Sequence, residues 1–228
     1  MVHIQITNTM KLFSCSIVSV ILLVLFFVNR RSRENTKGVY VISLVSQGAQ
    51  SFKFPDDSIF VDKELAVEKI MRLDEFIVDD KSKVKESVDT YYFIDFKKRQ
   101  YKDIGKNLEK DPKNIPWIQL AKKDLGFNFH NKWLENENYK MKDTIYNGEK
   151  IKKVISNSKT GERYEIFLRQ NVTENKPLVL FAGIEDKFKA EVIKMIITYP
   201  ENKGSFIYTK KFIPLKSHEI LSAMNKFQ

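Results

Sequence analysis

The chain has 228 residues and a formal net charge of +10, and 43% of its residues are apolar. That apolar content excludes a disordered chain, and the length suits one good-sized domain. Three histidines and a sole cysteine, Cys15, which lies inside an apolar run, exclude a disulfide framework, a cysteine-based zinc site and a cysteine nucleophile in the folded body.

The charge is unevenly placed. Residues 1–33 hold Lys11, Arg30, Arg31 and Arg33 and no acid; taking these four from the 39 basic residues leaves 35 against 29 acids. The body is therefore only moderately basic, with an excess of six.

No charged residue stands between Lys11 and Arg30, and Leu12 to Val28 reads LFSCSIVSVILLVLFFV. A helix over 12–29 rises roughly 27 Å, close to the ~30 Å of bilayer hydrocarbon. The sequence predicts a short tail (1–11), a single transmembrane signal-anchor helix (12–29), a basic juxtamembrane linker (30–37) and a body (38–228). Leu12, Ile17, Val20, Ile21, Leu22, Leu23, Val24, Leu25, Phe26, Phe27 and Val28 are the residues expected to contact lipid. The run ends in Asn29-Arg30-Arg31 and not in a small-x-small site, which favours a retained anchor over a cleaved signal. Arg30, Arg31 and Arg33 outweigh Lys11 and favour a cytoplasmic body by the positive-inside bias. Met10-Lys11 before the apolar core has the form of a compact bacterial start, and the expectation taken is an exported body behind a type II anchor.

Along the body, Gly38–Val45 predicts a strand from its β-branched and aromatic residues. Ile59–Val61 is briefly extended. Ala66, Ile70, Leu73 and Ile77 then fall at i, i+4, i+7 and i+11, predicting a helix capped by Asp62, with Glu64 at its positive end. Asp79–Val88 reads as a charged connection, and Thr90–Phe96 as a strand buried on both faces. A short helix is expected from Pro116 through Trp117, Leu120, Ala121 and Leu125, stopping at Gly126. Lys150–Ser156 and Arg163–Arg169 predict a β-hairpin with one wet face. Beyond it, the sequence predicts a strand at Leu178–Ala182, a helix carrying Phe188, Val192, Met195 and Ile196, and a strand at Ser205–Phe212. A last helix capped by Ser217 would bury Ile220, Leu221, Met224 and Phe227. The fold class expected is α+β: a transmembrane helix followed by one mixed, mainly antiparallel sheet with packed helices.

Catalytic chemistry has few carriers. His3 lies in the tail, and neither His130 nor His218 sits in a nucleophile-and-base motif. No zincin, EF-hand, Walker A, dinucleotide or nucleophile-elbow pattern occurs. The acid pairs Asp56-Asp57, Asp79-Asp80 and Glu185-Asp186 stand at predicted element boundaries, where acids solvate turns or start helices. Lys97-Lys98-Arg99, Lys122-Lys123, Lys152-Lys153 and Lys210-Lys211 lie near Tyr91, Tyr92 and Phe96, but acids are interspersed and no nucleic-acid motif is present, so solvated faces explain them better. Asn171-Val172-Thr173 is a glycosylation sequon whose meaning depends on the source.

No catalytic, cofactor or metal residue is therefore assigned. The expected function is a membrane-anchored, non-enzymatic protein-binding module of a bacterial cell envelope, touching the bilayer through 12–29 and an unidentified protein through its body. The alternatives are a cell-wall glycan hydrolase using separated carboxylates, with Trp117, Trp133 and Tyr139 lining its cleft, and a cytoplasm-facing domain binding acidic lipid or nucleic acid.

Overall fold

The computed structural model describes residues 37–49, 51–79, 81–108, 112–129, 138–170, 180–201 and 203–227. These belong to the compact unit Thr36–Gln228. The strands are β1 Lys37–Gln47, β2 Phe52–Lys53, β3 Asp57–Asp62, β4 Leu65–Val78, β5 Lys81–Asp95, β6 Gln100–Gly105, β7 Ile118–Gln119, β8 Tyr139–Tyr146, β9 Glu149–Asn157, β10 Arg163–Arg169, β11 Glu191–Thr198 and β12 Ser205–Pro214. The helices are α1 Ala182–Phe188 and α2 Glu219–Phe227.

All strands join one antiparallel sheet in the order β7-β6-β5-β4-β3-β1-β12-β11-β10-β9-β8, with β2 beside β1. Two meanders, β3 to β7 and β8 to β12, meet at β1. The seam with β12 runs from Gly38↔Pro214 to Gln47↔Ser205. In it Tyr40 faces Phe212 with ring centroids 4.8 Å apart.

Alternation along the strands builds a core on each face. Tyr40, Ile42, Ile59, Val61, Ile94 and Tyr101 belong to one core, which continues through Val154, Ile166, Leu168 and Met195 and is covered by Phe181 and Ile184 of the α1 region. The intervening residues Val39, Phe60, Val67, Phe93 and Ile104 point the other way and meet Ile220, Leu221, Met224 and Phe227 of α2. Leu221→Ala is expected to cost about 2–4 kcal/mol, because a buried leucine is lost where, among the described residues, α2 is the α-helix that covers the face. Denaturant unfolding at unchanged m-value would check it.

The α+β, membrane-anchored expectation is corrected. Strand makes up 59% of the structure and helix 12%, and only two α-helices occur among the described residues. No described helix is long and apolar enough to cross a membrane. The predicted span 12–29, its flanking Lys11, Arg30, Arg31 and Arg33, and the tail lie outside the described residues.

Three predicted elements change type, two of them for one reason. The stripe Ala66-Ile70-Leu73-Ile77 is strand β4, where Ala66, Val67 and Glu68 are buried in succession because both faces are covered. A helix would bury one side only. Ala66 and Ile70 face the α1 side and Leu73 and Ile77 the other, so an apparent 3.6-residue period comes from a strand used on both sides. Glu191, Val192 and Ile193 are likewise buried in succession in β11, which replaces the helix expected around Val192–Ile196. The helix there is α1, which ends at Phe188, where the expected one begins. Trp117–Leu125 is extended at β7 and then turns through a 3₁₀ segment, Leu120–Lys122. Of the expected strand 178–182, residues 178 and 179 lie outside the described residues, and Leu180 and Phe181 lead into α1. The strands expected at 38–45, 90–96 and 205–212, the 150–156/163–169 hairpin and the terminal helix are present in β1, β5, β12, β9–β10 and α2.

Candidate functional site

β4 and β5 have 14 and 15 residues, whereas their outer neighbours β3 and β6 have six each. β3 pairs with β4 only from Leu65 to Lys69, and β6 with β5 only from Tyr91 to Asp95. Residues 71–78 and 81–88 therefore continue as a two-stranded ribbon of eight pairs, Met71↔Val88 to Val78↔Lys81. At ~3.4 Å per residue this arm is roughly 27 Å long.

The register break between Ile70 and Met71 leaves Asp89 as an extra residue in β5 and reassigns that strand's faces. Beyond it one face of the ribbon carries Met71, Leu73, Val84, Ile77 and Val88 with Glu75 and Glu86. The other carries Arg72, Asp74, Phe76 and Val78 with Lys81, Lys83 and Lys85. Ile77 is 76% exposed, Val84 61% and Phe76 41%.

Polar contacts fix the base of the arm. Arg72 lies 2.9 Å from Asp74 and 3.6 Å from Asp89. Ser87 Oγ donates to Asp74 at 2.5 Å, and Arg72 Nε donates to Ser87 Oγ at 3.3 Å. The Ser87 hydroxyl, together with Arg72, holds the Asp74 carboxyl below its ordinary range. Nearer the tip, Ser82 donates to Glu75.

Two buried ionic clusters sit on the α1 side of the sheet. In the first, Glu68 Oε2 lies 2.6 Å from Lys123 Nζ, a close ion contact without hydrogen-bond alignment. Lys123 Nζ also donates to the carbonyls of Leu125 (2.5 Å) and Phe127 (2.9 Å), and Phe127 N–H donates to Glu68 Oε1 at 2.5 Å. Gly126, at φ +75°, passes so close that a Cβ would stand 2.5 Å from Ile70 Cδ1 and 2.6 Å from Glu68 Oε1. Burial, and next the charge of Glu68, push the Asp57 carboxyl well above its ordinary range. Lys123 also stands 4.9 Å from the ring of Tyr92, whose hydroxyl burial pushes up to about 12.

In the second cluster Lys210 Nζ lies 2.5 Å from Glu185 and 3.5 Å from Glu191. Glu185 also accepts from Val192 N–H at 2.9 Å and Leu180 N–H at 3.2 Å. Arg169 continues the chain to Glu191 (3.4 Å) and, through both carboxylate oxygens, to Glu149. The ionisable groups in both clusters bind one another and backbone; their geometry is that of cross-bracing.

An open cleft of about 390 Å³ lies on the α2 side, lined by Asp62, Glu64, Asp95, Lys98, Trp117 and Met224 among others. Asp62 is 2.7 Å from Lys37. Asp95 accepts from Lys98 N–H at 2.9 Å and pairs with its ammonium at 3.6 Å.

The residues weighed in the sequence are now placed. Asp57 and Glu185 each enter a buried cluster, on separate elements from each other, and Asp79 sits at the arm's tip with φ +51°. Lys123 and Lys210, expected on solvated faces, are buried. His218 Nδ1 accepts from Ile220 N–H at 3.2 Å, and its ring lies 4.6 Å from that of Phe60, so it starts α2 in place of the expected Ser217. Trp117 lines the cleft, whereas Tyr139 stacks on Phe188 of α1 at 5.0 Å, so these two do not share a glycan cleft. His130, Trp133 and the sequon at 171–173 lie outside the described residues. The arm itself was missed, although Lys81, Lys83 and Lys85 at alternate positions carry a strand's period. The sequence matches no known protein family and has no significant similarity to a curated protein.

Proposed function

We propose that the protein is a non-enzymatic protein-binding module that meets its partner through the β4–β5 arm. The carrying observation is the exposure of Ile77 and Val84 on a ribbon that, among the described residues, has no strand on either edge. A two-stranded ribbon alone is marginally stable, and exposed apolar side chains gain from burial against a partner. The mutual pairing of the buried acids and lysines supports a binding role over a catalytic one.

A photoreactive amino acid placed at Ile77 of the full chain, with Lys159 in the β9–β10 turn as control, tests this reading in the cells that make the protein. A discrete adduct is expected from position 77 and none from 159. Val84→Asp is expected to lower its yield about tenfold, the effect of losing ~1.4 kcal/mol of affinity. Identical adducts from both positions, or none from 77, would overturn the proposal.

A further inference from the structure

The outward edge of β5 carries its own chemical pattern. Between Lys81 and Asp89 this strand has β4 on one side and, among the described residues, no strand on the other, because β6 pairs with it only from Tyr91. The backbone groups of that edge are open to an added strand. Lys81, Lys83 and Lys85 are all exposed, stand on one face and repeat every ~6.8 Å, twice the rise of an extended residue. Among the described residues none of the three forms an ion pair, and the nearby Asp74 is in contact with Arg72 and Ser87. The opposite face at the same level carries Val84 and Ile77 among Glu75, Ser82 and Glu86.

We propose that this edge receives an extended acidic segment of a partner protein as an added strand, with Asp or Glu at alternate positions against the three lysines and apolar residues between them against Val84. This rests on the reading of the arm as the binding element and specifies the partner's chemistry. The lysine row itself disfavours a second copy of this chain at that edge in the symmetric register: antiparallel pairing of two β5 strands centred on Lys83 sets lysine opposite lysine, and like charges directly opposite are destabilising. An acidic strand of the matching period meets a cation at each position of the row. Its other face sets an apolar residue against Val84.

The full chain is titrated into a fluorescein-labelled peptide of alternating glutamate and valine, followed by anisotropy, beside a peptide of equal composition with its glutamates and valines in separate blocks. The alternating peptide is expected to bind at least several-fold more tightly than the block peptide. Its affinity is expected to fall about tenfold in Lys81→Glu/Lys83→Glu/Lys85→Glu but not in Lys159→Glu, and to weaken as salt rises from about 0.1 M to about 1 M, which shortens the screening length from ~10 Å to ~3 Å. Equal binding of both peptides, or no loss in the triple variant, would overturn the inference and leave the lysines as guards of an open edge. If the adduct at position 77 forms and survives the triple substitution, the arm reading stands and strand addition falls. Alternating-peptide binding without any adduct at position 77 overturns the arm reading instead.

Discussion

Replacing Lys210 by methionine is expected to lower folding stability by about 3–5 kcal/mol, the loss typical of breaking a buried pair from one side. Its ammonium lies between Glu185 at 2.5 Å and Glu191 at 3.5 Å, and its side chain is 1% exposed. Methionine fills a similar volume, so the loss reports charge and not a cavity. Glu185 stays buried and keeps its backbone N–H donors from Leu180 and Val192 but loses this ammonium. Adding Glu185→Gln removes the stranded charge and is expected to recover much of the loss, because a buried pair contributes less than the penalty for splitting it. Denaturant unfolding of the two single variants and the double variant measures this directly. A loss below ~1 kcal/mol for Lys210→Met would mean that the pair behaves as a solvated one.

Lys123→Met is expected to show a comparable loss of about 3–5 kcal/mol at neutral pH, together with a pH dependence. Here the ammonium faces Glu68 with Asp57 beside it, and removing the cation leaves two carboxyls together in a buried site. Acidification relieves this by protonating Asp57, whose carboxyl burial already pushes up, so the deficit of Lys123→Met should shrink as pH falls. The native protein carries a weaker form of the same effect. Asp57 is raised in the folded state, so between its ordinary value of 3.8 and the raised value the unfolded chain releases a proton that the folded chain keeps. Stability therefore declines as pH rises through that window, and the penalty is complete above it. Asp57→Asn removes the titration. It should match the wild type below the window and become progressively more stable than it above. An Asp57→Asn variant less stable than wild type at neutral pH would show that the Asp57 carboxylate is compensated in the folded state.

Much of the strand content was legible in the residues. Gly38–Val45 and Ser205–Phe212 carry dense β-branched and aromatic side chains and form β1 and β12. Arg163–Arg169 alternates and is β10. The terminal helix keeps Ile220, Leu221, Met224 and Phe227 on one side, all buried. One local signal went unread: Asn147-Gly148, both at positive φ, closes the two-residue turn between β8 and β9, a dipeptide that favours hairpins because it tolerates this geometry. The arm was half legible. The alternation of Lys81, Lys83 and Lys85 was in view, but Ala66, Ile70, Leu73 and Ile77 matched a helix as well as a two-sided strand, and reading β4 as a helix removes the partner that makes β5 a ribbon.

The sequence by itself determined that the chain has enough apolar residues to fold, that histidine and cysteine chemistry is scarce, and that several segments are strand formers whatever surrounds them. Only the tertiary structure decided that segments with apolar residues at helical spacing join the sheet, and that Lys123 and Lys210 leave solvent for Glu68 and Glu185. A helix satisfies its backbone within one segment, so its signature is local. A strand's hydrogen bonds and a buried lysine's counter-charge come from distant residues, Lys123 from a carboxylate 55 positions earlier in the chain and Lys210 from one 25 positions earlier. The net charge of +10 has the same limitation: it counts the lysines without distinguishing those that brace the core from those that line the open edge of β5.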